Sequence, residues 1–440
     1  MEFPREQYLQ RLAERRKNGL VKVITGTRRA GKSYLMNNIF YRYLLKDGMD
    51  QKHVLRFAFD TDEDLDKLVP YFPEEPVRIR DEEGHEKVNA RKFRAWLFDV
   101  TNDNEEFCLL LDEVQELDHF VSTINGLLRR PNMDVYVTGS NSKFLSSDVA
   151  TEFRGRSSIV HVLPLTFGEY RTGLELSSED AWKEFIVTGG IPVVAAMQTK
   201  SEKVTYLKNL CEETYLKDIV SHNDVRDTGK LSDTFNILAS VIGTPVNPRK
   251  ISNTYRSVLR ETISPETIDT YLSYFQDAFI LDKVQKYNIK GRAYIQTPFK
   301  VYFEDIGVRN ARLNFRQIEE THIMENIIFN ELRYRGYNVD VGEMDINEKT
   351  DRIDRNGKAI YRKAALEVDF IATLGDRKFY VQSALDMRDE KKEEQEKRSL
   401  YYIDDSFRKI IITKNGLKPM QDEKGVYTVD LFDFLSGWEM

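Results

Sequence analysis

Cysteine is nearly absent: the chain has two, Cys108 and Cys211, too few for a disulfide framework, and Cys108 lies in an apolar run. A reduced, cytoplasmic compartment is the expectation. Histidine is scarce too, six in 440 residues, and without paired Cys/His spacing no structural zinc is expected. No apolar run approaches the ~18 residues that cross a bilayer. The opening MEFPREQYLQ carries acids where a secretory signal needs an apolar segment, so neither membrane nor export is expected. Positive charge is not in general excess either: 65 Lys and Arg stand against 72 Asp and Glu, for a net −7. Any nucleic-acid contact therefore has to come from a local patch.

What is present describes a globular protein. Hydrophobic residues make up 41% and charged residues 31%, outside the range of disordered chains, and 440 residues suggest two to four domains. The segment VKVITGTRRAGKSYLMNNIFYRYLL reads as a β-branched strand, a glycine-bearing loop and an apolar-periodic helix. Within it, residues 26–33 match G-x-x-x-x-G-K-S. Gly26 and Gly31 let the backbone curl so that its N–H groups face a phosphate, and the helix N-terminus adds positive partial charge. Lys32 can reach the β- and γ-phosphates of ATP, and the Ser33 hydroxyl can ligate Mg²⁺. The candidate nucleotide cradle is Gly26, Thr27, Arg28, Arg29, Ala30, Gly31, Lys32, Ser33 and Tyr34.

FCLLLDEVQEL supplies a second element. An apolar run from Phe107 to Leu111 suits a central parallel strand, ending in Asp112 as a Mg²⁺ ligand and Glu113 as general base for the attacking water. A third strand, VYVTGSNS, puts Ser140 or Asn141 at its polar end, and spacing does not choose between them. Arg154 and Arg156 precede the strand-like SSIVHVLPL; arginine suits a transition-state clamp because its planar fork stays charged and pairs bidentately with phosphate. A solvated helix end explains them equally well.

Together, GTRRAGKS, LLLDEVQEL, VTGSNS, FRGR and PLTFGEY resemble the AAA+ ATPases of prokaryotes, and more narrowly the subgroup with a carboxy-terminal domain of unknown function. The resemblance implies a five-stranded parallel core, Ser140 or Asn141 as sensor, and Arg156 or Arg154 acting on a neighbouring subunit's nucleotide in a homo-oligomer. In nucleotide-switch relatives a G-x-P element of the lid lies near the adenine; Gly190, Ile191 and Pro192 match it, although a plain interhelix turn accounts for them too.

Residues 231–300 read as a winged helix-turn-helix: three helices, then two strand-like runs around Lys290, Gly291 and Arg292. This segment holds nine basic and six acidic side chains, a contrast with the whole chain that suggests contact with duplex DNA through phosphates. Winged helices also bind proteins. The last segment, with LEVDFIA, a turn at Gly375 and Asp376, and KFYVQSA, resembles the restriction-endonuclease fold. Glu325 (or Glu331) and Asp369 match its first two acids. Gln382, Ser383 and Ala384 replace the third acid and the lysine, so a degenerate nuclease is expected.

The expected architecture is α/β: an AAA+ P-loop core (1–167), a helical lid (168–230), a winged helix (231–300) and a restriction-endonuclease-like domain (301–440). The expected activity is Mg²⁺-dependent ATP hydrolysis directed at DNA. A nucleotide-gated switch that holds a protein partner is the alternative, and an active nuclease a more distant one.

Overall fold

Two short runs without polar alternation, VKVIT and FCLLLD, form strands buried at every position, as befits strands covered on both faces. The computed structural model describes every residue except 83, 140–152, 154, 224, 354–358, 415 and 417. The chain divides into two units: residues 4–164 with 277–279, and residues 1–3, 165–276 and 280–440.

The first unit contains β1 (Val21–Thr25), β2 (Val54–Ala58), β3 (Arg78–Arg80), β4 (Glu86–Val88), β5 (Phe107–Asp112), β6 (Met133–Thr138) and β7 (Ser157–His161). Five of them form the expected parallel sheet, in the order β2-β5-β6-β1-β7, while β3 and β4 make a separate antiparallel ribbon. One polar residue of β1, Lys22, is buried because its ammonium pairs with Asp134 on β6 and lies 5.2 Å from the Tyr136 ring. On one face Phe57, Phe59, Phe93 and Trp96 pack with ring centroids 4.8–5.7 Å apart, within the range of tilted and edge-on aromatic contacts.

The second unit begins with helices, among them Phe167–Leu174, Ser178–Thr188, Thr228–Ser240, Pro248–Thr254 and Pro265–Asp277. Ser264 caps the last of these, accepting the Thr267 N–H at 3.1 Å, as its sequence suggests. Next come β8 (Leu281–Asn288), β9 (Ala293–Phe303), β10 (Asn338–Ile353), β11 (Ala359–Leu374), β12 (Arg377–Ala384), β13 (Arg408–Thr413), β14 (Met420–Gln421) and β15 (Val426–Asp430). All eight share one sheet, ordered β14-β15-β13-β12-β11-β10-β8-β9.

Two expected boundaries therefore move. Residue 300 lies inside β9, and the two strands read as a separate wing pair into the sheet of the last segment, β8 running parallel to β10. Residue 230 lies inside the helix Thr228–Ser240. The charged stretch around 345–364 belongs largely to the long hairpin β10–β11.

The helix Ile306–Arg312 is buried at every position and anchors its neighbours through polar groups. Arg309 Nε donates to Ala239 O at 2.8 Å, and Asn310 Nδ2 to Ile186 O and Val187 O at 2.9 and 3.0 Å. Asp305, its N-cap, accepts from Val308 N at 3.0 Å and from Gly190 N at 2.7 Å. A Cβ at Gly307 would lie 2.1 Å from Thr188 O, so only glycine allows that approach.

Burial pushes the Asp305 carboxyl from its ordinary 3.8 up to about 6, against four backbone N–H groups that favour its charged form. A raised native value means that the folded protein holds this proton more tightly than the unfolded chain does, so stability from this group falls as pH rises from about 4 to about 6. Asp305→Asn cannot titrate. Relative to the variant, the wild type should lose about 2–3 kcal/mol across that window, measured by urea denaturation at several pH values.

Candidate nucleotide site and a buried ion cluster

The loop after β1 bends through backbone that favours glycine. Gly26 has φ +137°, and a Cβ there would stand 2.1 Å from Val162 O; Gly31 has φ +91°. The curl leads into the helical run 32–46, which has a π segment at Leu35–Phe40. Buried Lys32 donates through Nζ to Gly26 O at 2.9 Å and Thr27 O at 3.0 Å, holding its ammonium inside the loop. Thr27 and Ala30 are buried, whereas Arg28, Arg29 and Tyr34 stand exposed around the cradle.

Because β1, β5 and β6 are parallel, their carboxy-terminal ends meet at one edge. There Asp112, buried at the end of β5, accepts from Ser33 Oγ at 3.0 Å, from Asn37 Nδ2 at 3.1 Å and from Thr138 Oγ1. Thr138 Oγ1 in turn accepts the Glu113 N–H at 3.1 Å. Burial pushes the Asp112 carboxyl up, and the charges of Glu113 and Asp60 push the same way against the bonds from Thr138 and Ser33. A divalent cation would offset that concentration of negative charge. The adjacency of the Ser33 hydroxyl and the Asp112 carboxylate fits Mg²⁺, whose remaining ligands would be phosphate and water.

Glu113 adopts left-handed backbone, φ +51°, a conformation costly for a residue with a Cβ and concentrated at functional sites. Asp60, two residues past β2, has its own carboxyl raised by burial and then by the charge of Glu113. The sequence reading named none of Asn37, Asp60 and Thr138; only the sheet order shows that they share this edge.

Arg156 is exposed and precedes β7. Ser157 is level with Val21 at the start of β1, so Arg156, level with residue 20, lies roughly 20 Å along the strands from Gly26. It is not brought to the phosphate loop of its own chain. Ser140, Asn141 and Arg154 lie outside the described residues. Pro192 opens the short helix Pro192–Ala195 in the second unit, and the Gly190 N–H just before it is taken by Asp305.

The sheet of the second unit encloses a different constellation. Lys300 on β9 places Nζ 2.9 Å from Glu325 Oε1, 2.8 Å from Glu367 Oε1 and 3.7 Å from Asp369 Oδ1. Tyr302 OH donates to Glu325 at 2.6 Å, and Ser383 N donates to Asp369 at 2.8 Å. Lys286 bridges Glu343 and Glu367, each at 2.7 Å. Lys300, Lys286, Glu325 and Asp369 are all buried.

Glu325 and Asp369 come together around an ammonium. Gln382 turns elsewhere: its Oε1 accepts Asp369 N at 3.3 Å and its Nε2 donates to Glu396 at 3.3 Å. Glu331 pairs with Arg335 at 2.8 Å and stays out of the cluster. Among the described residues no cluster of three or more acids, histidines and cysteines is arranged to hold a metal ion. The residues here do not fit a divalent centre, because Lys300 already neutralises them.

Asp369 is pushed upward by burial and by the charge of Glu325, whereas Glu325, drawn down chiefly by Lys300, keeps its charge against its own burial. The cluster also changes the basic patch. Two of the nine cations counted between 231 and 300, Lys286 and Lys300, are buried in ion pairs and cannot touch phosphate, while Arg249, Lys250, Arg256, Arg260, Lys290 and Arg292 remain exposed. Lys300→Met strands two buried carboxylates, Glu325 and Asp369, and should cost about 3–5 kcal/mol in chemical denaturation. Adding Glu325→Gln to Lys300→Met should recover part of that loss.

Residues 18–171 match an AAA domain, and residues 179–319 match a domain of unknown function, DUF8612. An uncharacterized protein of Haemophilus influenzae is 31% identical over 437 residues, covering 98% of each chain. The uncharacterized protein MJ1544 of Methanocaldococcus jannaschii is 24% identical over 389 residues, 85% of this chain and 76% of its own. Among solved structures, the Aeropyrum pernix ORC2 protein in ADPNP–ADP complexes aligns at 13% identity with a TM-score of 0.34, over 63% of this chain and 86% of that one. A score that low says nothing further about this protein. With the P-loop, the parallel sheet and full-length similarity together, the chain belongs to the family of the Haemophilus influenzae protein and carries an AAA+ P-loop domain over residues 18–171.

Proposed function

We propose that this protein binds ATP with Mg²⁺ and hydrolyses it to ADP and phosphate. The observation that carries the reading is the Ser33–Asp112 hydrogen bond at the mouth of the glycine-bent loop, with Glu113 next to it. Lys32 would bind the β- and γ-phosphates. Ser33 and Asp112 would hold the cation, which when bound supplies charge neutralisation at the phosphate oxygens. Glu113 would take the proton of the attacking water, and Ser140 or Asn141 would sense the γ-phosphate. Arg156, too far from its own loop, would act on the nucleotide of a second copy, so turnover would require a homo-oligomer. Gly190 and Pro192 would lie near the adenine in the lid.

The helices 228–277 are proposed as a winged-helix-like module whose two wing strands, β8 and β9, continue into the sheet of the last segment. The strands from β10 onward, with the helix Glu320–Tyr334, are proposed as a restriction-endonuclease-like domain without cleavage, since Lys300 occupies the midst of its acids. We place the protein in the cytoplasm and its action on duplex DNA, met through the six exposed cations of the patch. A second reading, a nucleotide-gated switch that holds a protein partner, is favoured by exposed Val258 and Leu259, 69% and 39% accessible, between Arg256 and Arg260.

ATP turnover with and without duplex DNA separates the two readings: stimulation lost at high salt supports DNA, and indifference with retained nucleotide supports the switch. Lys32→Ala should abolish tight nucleotide binding in a fluorescent-nucleotide titration. Glu113→Gln should bind ATP as the wild type does and lower kcat by at least ~100-fold. Arg156→Ala should lower kcat, and an excess of Lys32→Ala subunits, whose arginine is intact, should restore part of it.

A further inference from the structure

Glu113 is joined to a side chain that the reading above leaves unused. After its left-handed turn the chain enters a short 3₁₀ helix, Val114–Glu116, whose backbone is pinned from outside: Lys87 Nζ on the β3–β4 ribbon donates to Gln115 O at 2.8 Å, and Val88 bridges to Leu117. The Gln115 side chain, 5% accessible, turns back so that Nε2 donates to Glu113 Oε2. A carboxylate only accepts, so the amide must present its NH₂ to Glu113, and this fixes its orientation. Gln115 Oε1 is left buried without a hydrogen-bond partner.

A buried acceptor left unmade is unfavourable and uncommon, and it calls for a reason beyond packing. Here the reason is on the other end of the amide. A general base works when it is held within reach of its proton and is itself oriented by a third group. The Glu113 side chain can rotate, and the Gln115 bond restricts it. The same glutamine lines a cleft of about 1150 Å³ whose wall also carries Arg156, Arg129 and Lys87.

We propose that Gln115 is the positioning residue of Glu113: its amide holds the carboxylate in the orientation that receives the proton of the attacking water. The inference rests on the ATPase reading. Gln115→Met keeps the length and bulk of the side chain and removes the donor. In the full-length protein this variant should lower kcat for ATP ~10–100-fold while KM and the affinity for a fluorescent ATP analogue change less than ~3-fold, the pattern of an interaction made in the transition state. Its melting temperature should stay near the wild-type value. In the Glu113→Gln background, Gln115→Met should lower turnover no further, because the group it positions is gone.

Unchanged kcat in Gln115→Met beside an active wild type would overturn the positioning role and leave the ATPase reading intact. A kcat loss of the same size in both backgrounds would also overturn it, since the effect would not pass through Glu113. A wild type that binds ATP without turnover would overturn the ATPase reading and this inference with it.

Discussion

One carboxylate, Asp112, has to stay ionised at the buried end of a central strand, and the phosphate edge of the first unit is organised around that demand. Burial favours its protonated form. The opposing hydrogen bonds come from three side chains on two separate elements: Ser33 and Asn37 on the helical run after the loop, and Thr138 at the end of β6. Satisfying Asp112 therefore sets the register of the loop against two strands at once. The left-handed turn at Glu113 follows from the same geometry, because its N–H must reach Thr138. A carboxylate that collects hydrogen bonds from separate elements places those elements as firmly as apolar packing does.

The second unit meets the same difficulty without a cation site. Its acids, Glu325 and Asp369 buried and Glu343 and Glu367 half-buried, close on buried lysines of the same sheet, Lys300 among Glu325, Glu367 and Asp369, and Lys286 between Glu343 and Glu367. Such pairs add little net stability over apolar packing, yet neither partner can be removed alone without stranding the other. The polar helix Ile306–Arg312 works similarly, trading backbone and side-chain hydrogen bonds with helices far away in sequence. In this unit buried polar groups select partners, and the apolar core fills the space between.

The phosphate loop was legible because its physics is local. Glycines, a lysine, a serine and a helix start lie within eight residues, and neighbours in sequence are neighbours in space. The strand FCLLLD was legible for the same reason, since an unbroken apolar run ending in two acids fits few places other than a central strand. The wing was read as a separate module because a hairpin after three helices carries no mark of its next neighbour. Strand pairing is decided by edges, and β8 found β10 some fifty residues later.

Lys300 was counted as a surface cation because a lone lysine in PFKVYF does not announce burial. Its role depends on Glu325 from a helix and on Glu367 and Asp369 from β11. By itself, then, the sequence determined the glycine-bent loop of the AAA+ domain, the types of residue that stand beside it and most helices and strands, all set by spacing and periodicity over short stretches. The tertiary structure alone decided that Asn37, Asp60 and Thr138 stand beside Asp112 and Glu113. It also decided that Gln115 turns back onto Glu113, and that an ammonium takes the centre of the acids in the last sheet. Each of these is a contact between elements separated in the chain or an orientation set by such contacts, and the free energy of ionised groups depends on what folding brings within a few ångströms of them.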